Sequence, residues 1–472
     1  MTAVLWVVLP GLLGAPVLAA LPGWRAAAVG NIVVCGAMFL AACHLALVWP
    51  GERAGPDGLG VVMALLTGLV GFTTAWFSRY FIAAEVAAGR IGPRALRLYH
   101  GGFAGLLGLL AGALLTNDVA VTWVFLELAG LLGAGLVMLA GTGAARAAGR
   151  RSFALCGVAG MLALFGVILL HVATGPGWSA MRWQGLGQGL GPGLAGAVGG
   201  NGGLAGLAFV FLLVGYGTKA GLVPLHGWLV DAIAEGPAPV SAILSGLVCN
   251  VALVVLLRLR GAFAPGTALL LLGLGSVLVG SVCVWAQRDV KRVFGFAGIG
   301  QNGVVALAFG LGGPAGNFAG LLCMILGTLA RAAIFQSVGC AAQVRGGQTM
   351  GALAGLSRGQ PVLGMTLAAG VVALAGLPPF GLFAAWFMLV SETTRAAPWV
   401  SPVLVLALAA GGWALMTKLL HISFDTPPAG ARAAPVGAMV LAGAWFDLAL
   451  VLLLGLAMPA GVLAVLRQAA GP

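Results

Sequence analysis

The chain has 472 residues, 61% of them hydrophobic and 7% charged, with a mean hydropathy of +1.09. A soluble domain is about one quarter charged, so this composition excludes one and predicts a single all-α polytopic membrane domain in contact with the lipid bilayer. The net charge of +12 does not point to nucleic acid, because the basic residues sit in short loops between apolar runs, where they set orientation.

Apolar runs of about 20 residues predict about fourteen spans. They fall near 2–20, 27–48, 59–83, 97–116, 118–141, 151–173, 203–235, 238–259, 265–285, 291–312, 316–340, 361–392, 400–424 and 437–466. The first run, Val4–Leu21, lacks a basic leader and reads as a span, not a cleavable signal. Loops after odd-numbered spans carry most of the basic residues, including Arg79, Arg90, Arg94, Arg146, Arg150, Arg151, Arg288, Arg292 and Arg432. The other side carries Arg53, Arg182, Arg258, Arg260, Arg395 and Arg467. The positive-inside rule then places both termini outside the cytoplasm of a bacterial-type plasma membrane.

Glu127, in VTWVFLELAGLL, falls near the middle of the fifth span. A carboxylate there needs a partner or a proton. The 174–202 segment, rich in glycine, resembles a phosphate loop superficially but follows no strand. It reads as an external connection with a turn at the interface, carried by Trp178 and Trp183.

Next comes the stretch FLLVGYGTKAGLVPLHGWL, which places Lys219 in a span that Gly221 and Pro224 interrupt. An ammonium beside a helix break faces a protein-lined or watered cavity, because hydrocarbon solvates neither the charge nor the freed backbone. Broken helices of this kind form ion sites in transporters. Lys219 snorkelling to the interface is the plainer alternative, disfavoured by the apolar residues on both sides. Glu127 is the expected partner of Lys219. Burial favours the neutral amine and the carboxylate favours the ammonium, a balance that lets a proton be gained and lost; a static ion pair is the alternative.

His226 and Asp231 follow one and two turns beyond the break, and His226 could feed protons to Lys219 or be a hydrogen-bonded structural histidine. Asp231 and Glu235 could instead close the loop before Pro237 and Pro239. Asn250, in the eighth span, can bond a neighbouring helix or hold water but carries no charge. Arg331, in the eleventh, is a permanent cation that can tune a field or bind an anion but cannot relay a proton by releasing one. Asp447, in the last span, is either a helix–helix bond or a site for a neighbouring subunit.

An internal repeat ties the halves together. AGLVPLHGW at 220–228 matches AGLPPFGLF at 375–383, so Pro378 and Pro379 should break the twelfth span as Pro224 breaks the seventh. The copies lie five spans apart, so the second is inverted in the membrane. The single domain 1–472 then divides into a first five-helix repeat at 97–259 and an inverted one at 265–424, flanked by 1–83 and 437–466. The seven cysteines fall in apolar runs without a CxxC pair and read as small buried hydrophobes. With no haem motif, nucleotide fingerprint or cysteine cluster, neither cofactor nor metal is expected, and any redox chemistry belongs to partners.

The stretch GYGTKAGLVPLHGWLVDAIAEGPAPVSAILSG resembles the signature of the antiporter-like membrane subunits of respiratory complex I, Mrp-type cation/proton antiporters and membrane-bound hydrogenases. NDVAVTWVFLELAGLL and QRDVKRVFGFAGIGQNG resemble their fifth and tenth helices, and RYFIAAEVAAGRIGPRALRLYH is most similar to the hydrogenase-4 and formate hydrogenlyase branch. The resemblance covers roughly residues 60–425. It implies fourteen helices, two inverted five-helix bundles, a midplane proton path, and association with other membrane subunits and a peripheral redox arm. Glu127, Lys219 and His226 match the family's fifth-helix glutamate, broken-helix lysine and following histidine. Asn250 falls where many members have a bridging lysine, and Arg331 at the eleventh-helix lysine. Gly327 and Cys323 replace two histidines, and Trp386 replaces the titratable exit group, for which Glu392 is a poor substitute. The resemblance thus implies a proton-translocating subunit of a redox-driven complex. The departures leave two alternatives: a non-conducting subunit that anchors a partner complex, and a stand-alone Mrp-like antiporter or a membrane partner of an inorganic-carbon uptake protein.

Overall fold

The computed structural model describes residues 2–49, 56–174, 181–183, 186, 202–263, 266–428 and 436–471. Arg53, Arg432, Trp178 and most of the 174–202 connection lie outside the described residues. Six helices open the chain: α1 (Thr2–Ala20), α2 (Trp24–Val48), α3 (Gly58–Ala87), α4 (Pro93–Leu115), α5 (Val119–Met138) and α6 (Gly143–Thr174). The middle holds α7 (Gly202–Lys219), α8 (Gly227–Glu235) and α9 at 238–263, which passes through a π-helical turn at Leu244–Val248. Then follow α10 (Gly266–Ala286), α11 (Val290–Leu311), α12 (Gly313–Arg345), α13 (Pro361–Leu374), α14 (Gly381–Ala396), α15 (Val400–Phe424), α16 (Ala442–Leu456) and α17 (Ala460–Ala470).

Among the described residues eleven helices are long and apolar enough to cross a membrane, or twelve if α16 and α17 count as one. The shortfall from fourteen has a local cause: three expected spans are interrupted. The expected helix at 437–466 bends by 87° between α16 and α17, just before Pro459. Expected helix ends also move. Arg146, Arg150 and Arg151, read as loop, lie in the first turns of α6, which runs beyond its apolar stretch.

The breaks between α7 and α8 and between α13 and α14 are the same local structure. Gly221 and Gly376 adopt φ +71° and +65°. In the first, Gly221 N–H donates to Thr218 O and Leu222 N–H to Gly217 O; in the second, Gly376 N–H donates to Ala373 O and Leu377 N–H to Val372 O. This pair of reversed bonds closes a helix on a left-handed residue, which glycine adopts without a Cβ clash. A cis proline follows each, at Val223–Pro224 and Pro378–Pro379.

Burial separates centre from rim. Residues 238–256 are buried throughout and α12 nearly so, while α1, α2 and α15 leave most of their residues at least partly exposed. Glycine faces allow close packing: a Cβ on Gly280 of α10 would lie 2.6 Å from the Gly300 nitrogen of α11. At one end, Asp231 of α8 accepts from Arg151 of α6 (3.0 Å) and Arg292 of α11 (2.9 Å). At another, Arg258 of α9 grips Asp57 through two bonds of 2.7 and 2.9 Å.

Candidate proton-conducting site

Lys219 is the last residue of α7, where the helix dipole favours a cation. It is 2% exposed, and its Nζ donates to Glu127 Oε2 at 2.7 Å. Small neighbours admit this pair. A Cβ on Gly160 of α6 would overlap the Glu127 carboxylate, and one on Gly130 would lie 3.3 Å from Lys219 Nζ. A cavity of about 10 Å³, room for about one water, adjoins Lys219 between Gly130, Cys156 and Trp228.

The break frees backbone groups, and side chains take them up. Trp228 Nε1 donates to Thr218 O at 2.8 Å, Asn302 Nδ2 to Ala220 O at 2.9 Å, and Val223 N–H donates to Ser276 Oγ at 3.0 Å. Unpaired, each group would carry a desolvation penalty of about 1–3 kcal/mol.

Asn302 continues inward. Its Oδ1 accepts from Arg331 Nη1 at 2.9 Å, so one fully buried amide links the carbonyl beside Lys219 to the second cation. Arg331 is 1% exposed and is solvated by neutral oxygens: Nε donates to Gly327 O (3.1 Å) and Nη1 also to Ser245 O. Ser245 lies in the π-helical turn, a geometry that leaves carbonyls without their usual partners. Among the described residues no carboxylate pairs with Arg331.

Gly327 and Cys323 lose the side chains that the resemblance implies, and the structure puts their backbones to use. Their carbonyls accept from Arg331 and from Gln301 (3.1 Å), and the Gln301 amide occupies the room above Gly327, whose Cβ would lie 2.8 Å from Gln301 Nε2. Beyond Gln301 lies a cavity of about 40 Å³, bounded by Ser281 and Trp386. Trp386 packs on Gly376 at the second break, with its indole N–H buried and unpaired.

The other sequence candidates fall around this line. Asn250 donates to Thr328 Oγ1 at 2.8 Å and stays buried. His226 precedes the first residue of α8, half-buried, with its ring 6.1 Å from that of Phe296. Asp231 is held by two arginines, so it ties helix ends together. Asp447 is fully buried between helices, which removes it from reach of a neighbouring subunit. The sequence reading missed Gly160, Asn302 and Gln301. The pair Gln301–Asn302 in an apolar run was a legible polar signal, whereas Gly160 had none among so many glycines.

These features define a class: a polytopic helical protein with a largely buried charge pair at a broken helix and a polar line leading from it. Residues 116–411 match the membrane family described as NADH:quinone oxidoreductase/Mrp antiporter, and the chain belongs to that family. It is 40% identical over 389 residues to a hydrogenase-4 component F homolog of Methylacidiphilum infernorum, covering 80% of each chain. It is 30% identical over 425 residues to an NADH-quinone oxidoreductase subunit N of Rhodopseudomonas palustris, covering 86% of this chain and 84% of that one. In fold it is similar to a chain of the Mrp complex of a Dietzia species (TM-score 0.85, 22% identity, 99% and 96% covered). A chain of Thermus thermophilus respiratory complex I is likewise similar (0.82, 23%, 99% of each).

Proposed function

We propose that this chain is the proton-translocating, antiporter-like membrane subunit of a redox-driven complex of hydrogenase or NADH:quinone oxidoreductase type. The observation that carries the reading is the 2.7 Å Lys219–Glu127 pair at the interrupted helix. Protonating the carboxylate removes the lysine's counter-charge, and a buried ammonium without one gives up its proton. A proton arriving at Glu127 therefore sends one onward from Lys219. Asn302 passes the resulting change in field to Arg331, and Gln301 with water in the 40 Å³ cavity leads toward Trp386. His226 is the group beyond the break that delivers protons from the cytoplasmic side, while Asp231 and Asn250 hold the helices that frame the line.

On this reading the eleven long helices and the pairs α7/α8, α13/α14 and α16/α17 make fourteen spans. Residues 97–259 and 265–424 are inverted repeats between flanking helices, and both termini face away from the cytoplasm. The matching breaks support the repeats, and the distribution of arginines supports the orientation. Redox centres reside in a peripheral arm carried by other subunits; this chain contributes the proton step.

The test is proton uptake by proteoliposomes holding the purified complex. Lys219→Met abolishes uptake while the complex stays assembled. Unchanged uptake would instead identify a non-conducting anchor.

A further inference from the structure

The chain has six aspartates, all within the described residues. Five accept from a basic side chain or from a backbone N–H at a helix start. Asp57 accepts from Arg258, Asp118 from Val121 N–H (2.9 Å), Asp231 from Arg151 and Arg292, Asp289 from Arg292 N–H (3.0 Å), and Asp425 from His421. Asp447 differs from all of them. It is the one buried aspartate, 0% exposed, on α16 where that helix packs between α3 and α12.

Its partners are neutral. Thr73 Oγ1 of α3 donates to Oδ2 at 3.2 Å and Gln336 Nε2 of α12 faces the same oxygen at 3.5 Å. Oδ1 has no partner, and neither has Gln336 Oε1, both shielded from solvent. Gln336 Oε1 lies beside Gly443, one turn before Asp447 on the same helix, where a Cβ would come within 3.0 Å of it. Among the described residues no ion pair reaches Asp447. Of the other helices packed on α16, α13 has no charged residue, and Glu392 and Arg395 of α14 make no ion pair with it.

Both unpaired atoms are acceptors, and a hydrogen on the carboxyl group would supply the donor that their neighbours lack. An ionised carboxylate with two weak neutral donors would leave a bare charge in the membrane interior. A carboxylic acid has one O–H to donate and needs no counter-ion.

We propose that Asp447 is a second proton-binding site, separate from Glu127 and Lys219, where one resident proton on Oδ1 bonds an acceptor on α12 and fastens α16 to α3 and α12. This inference does not depend on the chain conducting protons.

The test is carbon NMR of the wild-type protein in lipid, labelled with carboxyl-13C aspartate, at about pH 8, well above the ordinary aspartate range. One carboxyl signal of six appears in the protonated position and resists broadening by a water-soluble relaxation agent, since Asp447 alone is buried. That signal disappears in Asp447→Asn, which otherwise assembles and takes up protons as wild type does; Asp447→Leu, which strips the polar contacts, loses assembled complex. Six ionised aspartates in the wild-type spectrum, or a protonated signal that survives in Asp447→Asn, overturns the proposal. The wild-type measurement decides the matter even if neither variant folds.

Discussion

At the scale of the residue, the structure turns on which buried groups have counter-charges. Lys219 has one, Arg331 is held by dipoles, and Asn302 joins them. Removing the carboxylate leaves Lys219 to stay charged without a partner or to discharge, and either costs free energy, so Glu127→Gln lowers stability, by less than the roughly 3–5 kcal/mol of a fully buried pair because Glu127 is partly exposed. The double variant Glu127→Gln/Lys219→Met recovers most of that loss in thermal unfolding in detergent, although neither conducts. Asn302→Leu keeps the volume and removes both bonds; hydrogen bonds to charged groups contribute about 1.5–3 kcal/mol, and proton uptake falls by about tenfold or more with assembly retained. Gly160→Ala carries no charge change, yet its methyl group displaces the Glu127 carboxylate from Lys219 and reduces uptake comparably. The charged pair was legible in the sequence because an acid and a lysine in apolar runs have few tolerable explanations. Asn302 was quoted within a motif yet not singled out, since its meaning depends on Ala220 and Arg331, which lie far from it in the chain.

At the scale of the element, the two breaks carry the organisation. Both were legible, because Ala-Gly-Leu with a proline just after it favours a helix stop, and the same pattern recurs 155 residues later. The bend between α16 and α17 was not read, although Pro459 lies beside it, because apolar residues continue through it. Gly221→Ala and Gly376→Ala force an L-residue into a left-handed conformation at roughly 1–2 kcal/mol, and the added methyl groups meet Leu229 and Trp386. Each variant should melt earlier than wild type. Loss of uptake should be greater for Gly221→Ala, because that break adjoins the titratable pair. Equal loss in both would mean that the second break carries as much of the path as the first.

At the scale of the whole molecule, most ion pairs sit near helix ends, and the interior is apolar apart from a few buried polar and charged groups. The Arg151–Asp231–Arg292 cluster and the Glu85–Arg90 pair belong to the arginine-rich end, and Arg258–Asp57 to the other. Single-cysteine reporters beside Arg150 and beside Asp118, placed in a background without native cysteines, should label from opposite sides of the membrane, the first from the cytoplasm. The reverse pattern would invert the proposed orientation. Fold class was legible from composition alone, whereas the burial of Asp447 was not, because a single acid in an apolar run reads the same whether it faces lipid, a neighbour or a core.

The three side chains that clasp the first break, Trp228, Asn302 and Ser276, hold its backbone on three sides. The loop is therefore a fixed bracket, and in the proposed mechanism the ammonium moves only on its own four-carbon tether. Torsions of that tether limit its reach to a few ångströms, so the proposed step needs no rocking of helix bundles. An arginine at position 219, longer and unable to discharge, would fill the bracket and stop the swing.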